Sequence, residues 1–454
     1  MSLQTNRRLW FDVTTLALWQ GQPAVGIVRT ERELCRQLLH AEVPVSFCFF
    51  DRRSPGFIEI DRQQVETMLA TPPVPEQAGP AATVRIEQWL QRISLKAIQH
   101  LPSSWRLGAK IFLASQRQRV LDLVNAVRRN GSPARKQRSA RPVGKPVRLA
   151  ADDIYVSMGL DWDLKDMDWL YREKRRCGFR CVLFCYDLIP YRLPHLYSGD
   201  VSARFARYFV NLAWCADLVF AISEHTRRDF LAFLDEAHHA RRPACEVIRL
   251  GCDASTPDDS KIGAVVRDMT NRDFILYVST LERRKNHEVL YRAYTRMVES
   301  GQSDLPLLVF VGMRGWGVDD LLKDLRLDPR VAGKIVLLER INDDELNALY
   351  EHCRFTVYPS LYEGWGLPIA EGLAHGKFCL ASNTSSIAEV GGSLVEYLDP
   401  WDLPAWTGRL AELCANRNAV DALNARVRAH YQAPTWQGAA ATLLERIDRL
   451  VQAA

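Results

Sequence analysis

Short apolar runs in this chain alternate with longer stretches in which apolar positions recur every three to four residues. That alternation predicts strands buried on both faces, each followed by an amphipathic helix. Leu9-Trp-Phe-Asp-Val13 opens the series, a polar, glycine-bearing loop runs to Gly26, and a helix is predicted over 28–39. Strands follow over 43–50, 154–157, 179–186, 218–222 and 247–253, with Ser223 capping the helix that leaves the fourth of these later runs. A polar stretch over 254–272, containing Pro257 and several Asp, reads as a linker. A second alternation then begins at Phe274-Ile-Leu-Tyr-Val278 and continues through strands over 307–311, 334–338 and 355–358 and helices over 402–430. Pro434-Thr-Trp-Gln-Gly438 leads into a last helix whose predicted packing face is Ala441, Leu444, Ile447 and Val451. The pattern therefore predicts an α/β chain with one Rossmann-like domain over 1–255, a second over 273–430, and a closing helix over 431–454.

The alternation breaks between about 52 and 150. Pro72, Pro73, Pro75 and Pro80 mark a loop, Ile86, Leu90, Ile93 and Ala97 stand at helical spacing, and a second helical stretch covers 107–127. Arg128, Arg129, Arg135, Lys136, Arg138, Arg141, Lys145 and Arg148 follow with no acidic residue between them. The segment reads as a helical and basic insertion in the N-terminal domain. Its plain interpretation is a solvated loop, and its functional one is attraction to an anionic membrane surface. Nucleic acid is disfavoured as a partner because aromatic residues do not interleave with the charges.

Composition narrows the picture further. A chain of 454 residues exceeds one ordinary core, and 47% hydrophobic with 25% charged residues is the balance of a soluble globular protein. The net charge of +5 selects no partner. No apolar run reaches the roughly 18 residues of a spanning helix, and the first residues lack the apolar core of a signal peptide, so a cytoplasmic protein is expected. Eleven cysteines form no Cys-x2-Cys pair, and Cys181 and Cys185 fall inside an apolar run, which predicts buried thiols and no zinc cage.

The most informative stretch is Tyr358-Pro-Ser-Leu-Tyr-Glu-Gly-Trp-Gly-Leu-Pro-Ile-Ala-Glu-Gly-Leu-Ala-His-Gly376. A strand passes through a glycine-bearing turn into a helix with Pro368 near its start and Gly376 at its close, an arrangement that gathers free N–H groups for an anion. Glu363 lies in the turn and Glu371 is expected in the first helical turn, a Glu-x7-Glu spacing. Ser279-Thr-Leu-Glu-Arg-Arg-Lys-Asn286 opens another helix with Arg284 as a fork and Lys285 as a point charge, both suited to a diphosphate. Asp161-Trp-Asp163 spells a metal-binding Asp-x-Asp, but one three-residue match is weak support, so Asp161 is expected to cap a helix or face an acceptor, and no metal is expected.

Together with Ala381-Ser-Asn-Thr-Ser-Ser-Ile-Ala-Glu-Val390, the Tyr358–Gly376 stretch resembles the donor-binding core of the retaining glycosyltransferases of family 4. The resemblance implies the GT-B architecture, two facing Rossmann-like domains with a cleft between them. It implies that Glu371 contacts the ribose of a nucleotide-sugar donor and Glu363 the sugar hydroxyls, while the backbone of Gly364, Trp365, Gly366 and Leu367 meets sugar and phosphate. Lys285 and Arg284 would stabilise the departing nucleoside diphosphate. Gly26, in a Gly-Ile-x-Arg element, would approach the donor phosphates from the opposite domain, and Ile341 lies in the loop expected to contact the base. Tyr186-Asp187 stands where the family often has His-Asp, and with Asp161 it forms the expected acceptor side. The implied activity is transfer of a hexose, mannose from GDP-mannose first and UDP-hexoses left open, to a glycan or lipid-linked acceptor in surface-polysaccharide synthesis, without a cofactor. A GT-B-shaped sugar-nucleotide epimerase and a non-catalytic membrane-associated scaffold are the alternatives, and intact Glu363, Glu371 and Lys285 speak against the scaffold.

Overall fold

The computed structural model of the chain describes residues 8–20, 26–71, 142–197, 199–252, 254–302 and 304–452. The helices expected over 84–100 and 107–127 and most of the cationic run lie outside them. Met1–Leu16, Ala24–Leu69 and Val143–Ala454 form one compact unit, and Ala17–Pro23 with Ala70–Pro142 form a second that lies almost entirely outside the described residues. Both sheets belong to the first unit.

The N-terminal sheet contains β1 (Leu9–Asp12), β2 (Val45–Phe50), β3 (Phe57–Ile60), β4 (Pro146–Val147), β5 (Ile154–Ser157), β6 (Arg180–Cys185), β7 (Leu218–Ala221) and β8 (Ala244–Val247), in the order β4-β3-β2-β1-β5-β6-β7-β8. The C-terminal sheet contains β9 (Phe274–Val278), β10 (Leu307–Val311), β11 (Ile335–Leu338), β12 (Thr356–Tyr358), β13 (Cys379–Ser382) and β14 (Glu396–Leu398), in the order β11-β10-β9-β12-β13-β14. Pairing is parallel throughout except for β2–β3 and β3–β4. Runs such as Phe274-Ile-Leu-Tyr and Cys181-Val-Leu-Phe-Cys are buried on both faces, as parallel strands covered by helices require. Strand order reverses between β1 and β5 in one sheet and between β9 and β12 in the other. The loops leaving these strands flank the crevices where open α/β sheets bind ligands.

Three boundaries differ from those expected. The linker is shorter than 254–272, because Ala264–Thr270 is a helix that places Val266 and Met269 in the C-terminal core beside Leu349. β8 ends at Val247, and beyond it Cys252 donates its N–H to Pro434, 2.7 Å away, tying this segment to the start of the last helix. Part of the 52–150 stretch is sheet: β3 runs antiparallel to β2 with Phe57 opposite Phe50, and the Phe57 ring packs 5.5 Å from Trp169. Four residues are too few for β3 to show a period.

The closing helix, Trp436–Gln452, returns to the N-terminal body and packs on the helix Ile27–Leu39. Its buried face is Trp436, Ala439, Ala440, Leu443 and Ile447, so of the expected face only Ile447 is buried. Trp436 sets this register. It is buried against Gly251, where an added Cβ would come within 2.3 Å of the Trp436 backbone nitrogen, and the residues one helical turn apart from it then face inward. Arg446 pairs with Glu246 at 2.9 Å, and Arg180 donates to the carbonyl of Leu450.

Beneath the β1/β5 switch point lies a buried ionic group. Lys165 Nζ sits 3.1 Å from Asp12 and 2.9 Å from Asp161, the Tyr155 hydroxyl donates to Asp12 at 2.7 Å, and the Ser157 hydroxyl donates to Asp161 at 2.7 Å. Asp161 is therefore a buried counter-ion and faces no acceptor, because Lys165, one turn further on, captures its carboxylate. Asp163 is exposed, so the Asp-x-Asp carboxylates do not converge. Glu31 of the Ile27–Leu39 helix joins the group, accepting the Leu16 N–H at 2.7 Å. Burial, reinforced by Asp12, pushes its carboxyl up to about 8.

Two outcomes test this packing. Leu443→Ala should lower stability by about 2–5 kcal/mol in urea unfolding, and Leu444→Ala by clearly less; equal losses would place the buried face wrongly. Glu31 binds its proton more tightly folded than unfolded, so stability falls as pH rises. Between about pH 4.5 and 8 its contribution should fall by about 1.4 kcal/mol per pH unit. Glu31→Gln keeps the acceptor for Leu16 and should remove that slope, and an unchanged slope would remove Glu31 as its source.

Candidate active site

β9 leads into a 3₁₀ turn, Arg283–Lys285, closed by Asn286 in the left-handed region at φ 53° before the helix His287–Glu299 begins. Asn286 holds that conformation by donating to the carbonyls of Pro359 and Pro400 at 3.2 and 2.9 Å. The turn projects two cations onto one carboxylate. Lys285 Nζ is 2.6 Å from Glu363 Oε1, and Arg284 Nη1 is 2.8 Å from Glu363 Oε2. Arg284 also reaches Glu282 Oε1 and the Tyr362 carbonyl, each at 2.6 Å, while Lys285 donates to the Tyr358 hydroxyl at 3.1 Å. Burial would raise the Glu363 carboxyl, but Arg284 and Lys285 outweigh it and hold it at about 2. Burial, with Arg284 alongside, lowers the Lys285 ammonium. The expected cations and the first glutamate therefore meet as a buried group, and Glu282 supplies the second carboxylate that balances its charge.

The loop after β13 fixes the turn that carries Glu363. The Ser385 hydroxyl accepts the Glu363 N–H at 2.8 Å, and the Ser386 hydroxyl donates to the carbonyls of Glu363 and Trp365 at 2.8 and 3.0 Å. Ser360 donates to Glu363 Oε1 at 2.6 Å. Gly366 has φ 124°, which only glycine adopts without strain, and it caps the helix Leu367–Ala374 with Pro368 in its first turn. Because that helix starts at Leu367, Glu371 lies in its second turn instead of its first. Trp365 is buried with its indole N–H unpartnered.

Residues of the N-terminal domain complete the site. Gly26, at φ 54°, caps the helix Ile27–Leu39, and Arg29 in its first turn donates to Glu371 Oε1. The Tyr350 hydroxyl donates to the other Glu371 oxygen at 2.9 Å. Gly364 meets the chain after β6 so closely that a Cβ there would lie 2.2 Å from the Tyr186 carbonyl, and Asp187 stands beside it. Asp187 accepts the Ile189 N–H at 3.0 Å, and burial raises its carboxyl. Tyr186 corrects another expectation: its hydroxyl donates to the Met158 carbonyl inside the N-terminal body, so only its backbone borders the site. Ile341 packs half-buried on the core around Phe274 and Leu349, while Asp343, two residues on, lies close enough to act on Arg29.

A second set of contacts joins the two domains at the same turn. Glu389 accepts the N–H groups of Glu224 and His225, both at 2.7 Å, at the start of the helix Glu224–Glu236. His225 Nε2 is 2.8 Å from the Tyr362 hydroxyl, and Thr226 Oγ1 is 3.2 Å from the Gly364 carbonyl. In sequence Arg29 and Glu389 stand out only as members of motifs, and His225 not at all. Glu389 was the most accessible to sequence reasoning, as an acidic residue placed to meet a helix N-terminus, but its partner lies 165 residues away. Among the described residues no three His, Cys, Asp or Glu converge as metal ligands, and no described helix is long and apolar enough to cross a membrane.

Known proteins resemble the chain in sequence and in fold. Residues 261–428 match the family described as glycosyl transferases group 1. The serotype-specific mannosyltransferase WbdA of Escherichia coli is 27% identical over 239 residues, 50% of this chain and 29% of that protein. The O-antigen chain mannosyltransferase B of Escherichia coli is 27% identical over 264 residues, 57% of this chain and 63% of that protein. The chain thus spans about three tenths of WbdA and somewhat under two thirds of the second relative. In fold it is similar to sucrose-phosphate synthase from Thermosynechococcus elongatus, at a TM-score of 0.57 and 16% identity over 99% of this chain and 100% of that one. It is similar to Anabaena HepE in complex with UDP and glucose as well, at 0.57 and 13% over 97% and 98%. Over residues 261–428 the chain is similar to the group 1 glycosyl transferases, and as a whole it has the GT-B fold.

Proposed function

We propose that this chain transfers a hexose, mannose first, from a nucleoside diphosphate sugar to a glycan or lipid-linked glycan acceptor in polysaccharide synthesis. The observation that carries the reading is Glu363 held between Lys285 and Arg284 at the β9/β12 switch point, with Arg29 and Gly26 of the other domain opposite. The mannosyltransferase names of two relatives favour mannose. GDP- and UDP-linked donors are both consistent with the site.

In the proposed reaction the bond between the anomeric carbon and the diphosphate oxygen breaks, and the bond to an acceptor oxygen forms. The acceptor proton leaves with the nucleoside diphosphate. Charge grows on the leaving oxygen, so the groups that accelerate the step are those that meet that charge. Lys285 and Arg284 are already buried and oriented, and a diphosphate offers them oxygen acceptors in place of the Glu363 carboxylate. Freed from them, Glu363 accepts hydrogen bonds from sugar hydroxyls. Gly364, Trp365, Gly366 and Leu367 offer backbone N–H groups to sugar and phosphate. Glu371, oriented by Arg29 and Tyr350, accepts from ribose hydroxyls in this reading. No cofactor is assigned. Peripheral binding to an anionic membrane through the cationic run remains part of the proposal, supported by the sequence of that run alone.

Transfer assays with GDP-mannose and UDP-hexoses test the reading. Lys285→Ala should lower kcat on the order of 10²-fold or more, while Glu371→Ala should act mainly through weaker donor binding. Unchanged kinetics in both variants would remove the site, and no transfer by the wild type from any donor would remove the activity.

A further inference from the structure

The turn Gly312–Gly317 after β10 is stitched onto the loop that carries the cations. Ser279 donates its N–H to Val311, Leu281 to Met313, and Gly315 back to Leu281, each at 2.9 Å. Contact is so close that a Cβ on Gly315 would lie 2.8 Å from the Leu281 carbonyl, and one on Gly317 2.9 Å from Arg283 Cδ. Framed by these two glycines, Trp316 is lifted to the rim of the site, where half of it (50%) stays exposed.

Its ring neighbour comes from the N-terminal domain. The Trp316 and Tyr197 rings lie 5.9 Å apart at 41°. Tyr197 follows the short turn Pro194–Leu196, downstream of Asp187, and burial raises its phenol, with Arg284, Asp187, Glu282 and Glu363 all near enough to act on it. The aromatic pair therefore borders the reacting centre. Strand order fixes the side: β9 carries the cation loop, β10 on one flank carries the Trp316 turn, and β12 on the other carries Glu363 and leads to Glu371. Arg29 and Tyr350 both donate to Glu371, and the transferase reading gives that carboxylate, on the β12 flank, to the ribose. The flank of Trp316 is left for the other reactant.

We infer that Trp316, with Tyr197, is the platform on which a pyranose ring of the acceptor saccharide stacks, so that this pair sets acceptor affinity. The inference rests on the transferase reading for the identity of the ligand. A pyranose presents a face of C–H groups that packs on an indole, while its equatorial hydroxyls stay at the edge for polar partners. Because the turn is already rigid, little side-chain freedom is lost when the sugar binds.

Two measurements with α-mannobiose as the probe test it. In steady-state transfer from GDP-mannose, Trp316→Ala should raise the acceptor KM about tenfold or more with the donor KM moved less than about twofold, and Trp316→Phe should restore most of the affinity. An acceptor KM unchanged in Trp316→Ala, or a donor KM that rises with it, would overturn the inference. Saturation-transfer NMR then reads disaccharide binding without any turnover. Signals present with wild type and lost with Trp316→Ala support the platform even if no transfer is seen, in which case the transferase reading alone fails. Equal signals from both proteins, or none from wild type, would overturn the platform whatever the assay shows.

Discussion

The Glu363 carboxylate, shared between Arg284 and Lys285, is the interaction on which the site depends. Two cations side by side in a buried position are costly unless an anion accompanies them, and loss of one member of such a group typically costs several kcal/mol. Glu363 supplies that anion and is held below the usual carboxylate range as a result. The same group fixes geometry. It ties the loop of β9 to the turn of β12, and the serines after β13 tie that turn to the next strand. A ligand anion that takes over the cations therefore acts on three consecutive strand ends at once.

The N-terminal domain is connected to the same turn. Arg29 reaches Glu371, Glu389 meets the N-terminus of the helix Glu224–Glu236, and Thr226 and Tyr186 close over Gly364. Each contact pairs charge or backbone polarity across the two domains, and none depends on a large apolar surface. Polar contacts of this kind exchange with water at modest net cost. They suit an interface that, on the proposed reading, admits and releases a nucleotide. The buried ionic group around Lys165 holds the helix bearing Arg29 in place from behind, so the part of the N-terminal domain that meets Glu371 is fixed.

Much of this was legible in the chain. Strands such as Phe274–Val278 and Leu307–Val311 appear where their apolar runs place them, because parallel strands covered on both sides need no partner-specific pattern. The Glu363 turn and the cation loop were legible because glycine, proline and charge occur there in unusual combination. Three kinds of feature were not. The closing helix lay one residue out of register, since its face is set by Trp436 docking on Gly251, a contact between distant segments. Asp161 resembled a functional carboxylate, and only its burial with Lys165 shows it to be a counter-ion. Arg29, Glu389 and Trp316 are ordinary residues in sequence and gain meaning from what lies across the fold from them.

The central claim, that a diphosphate replaces Glu363 as partner of Arg284 and Lys285, is tested most directly by calorimetric titration of free GDP and UDP into the wild type and Glu363→Gln. Glutamine keeps the shape and removes the competing charge, so whichever nucleotide the wild type binds should bind the folded variant at least as tightly. Binding weakened tenfold or more in Glu363→Gln, with the fold confirmed by circular dichroism, would contradict the account, because the carboxylate would then be needed by the diphosphate instead of displaced by it.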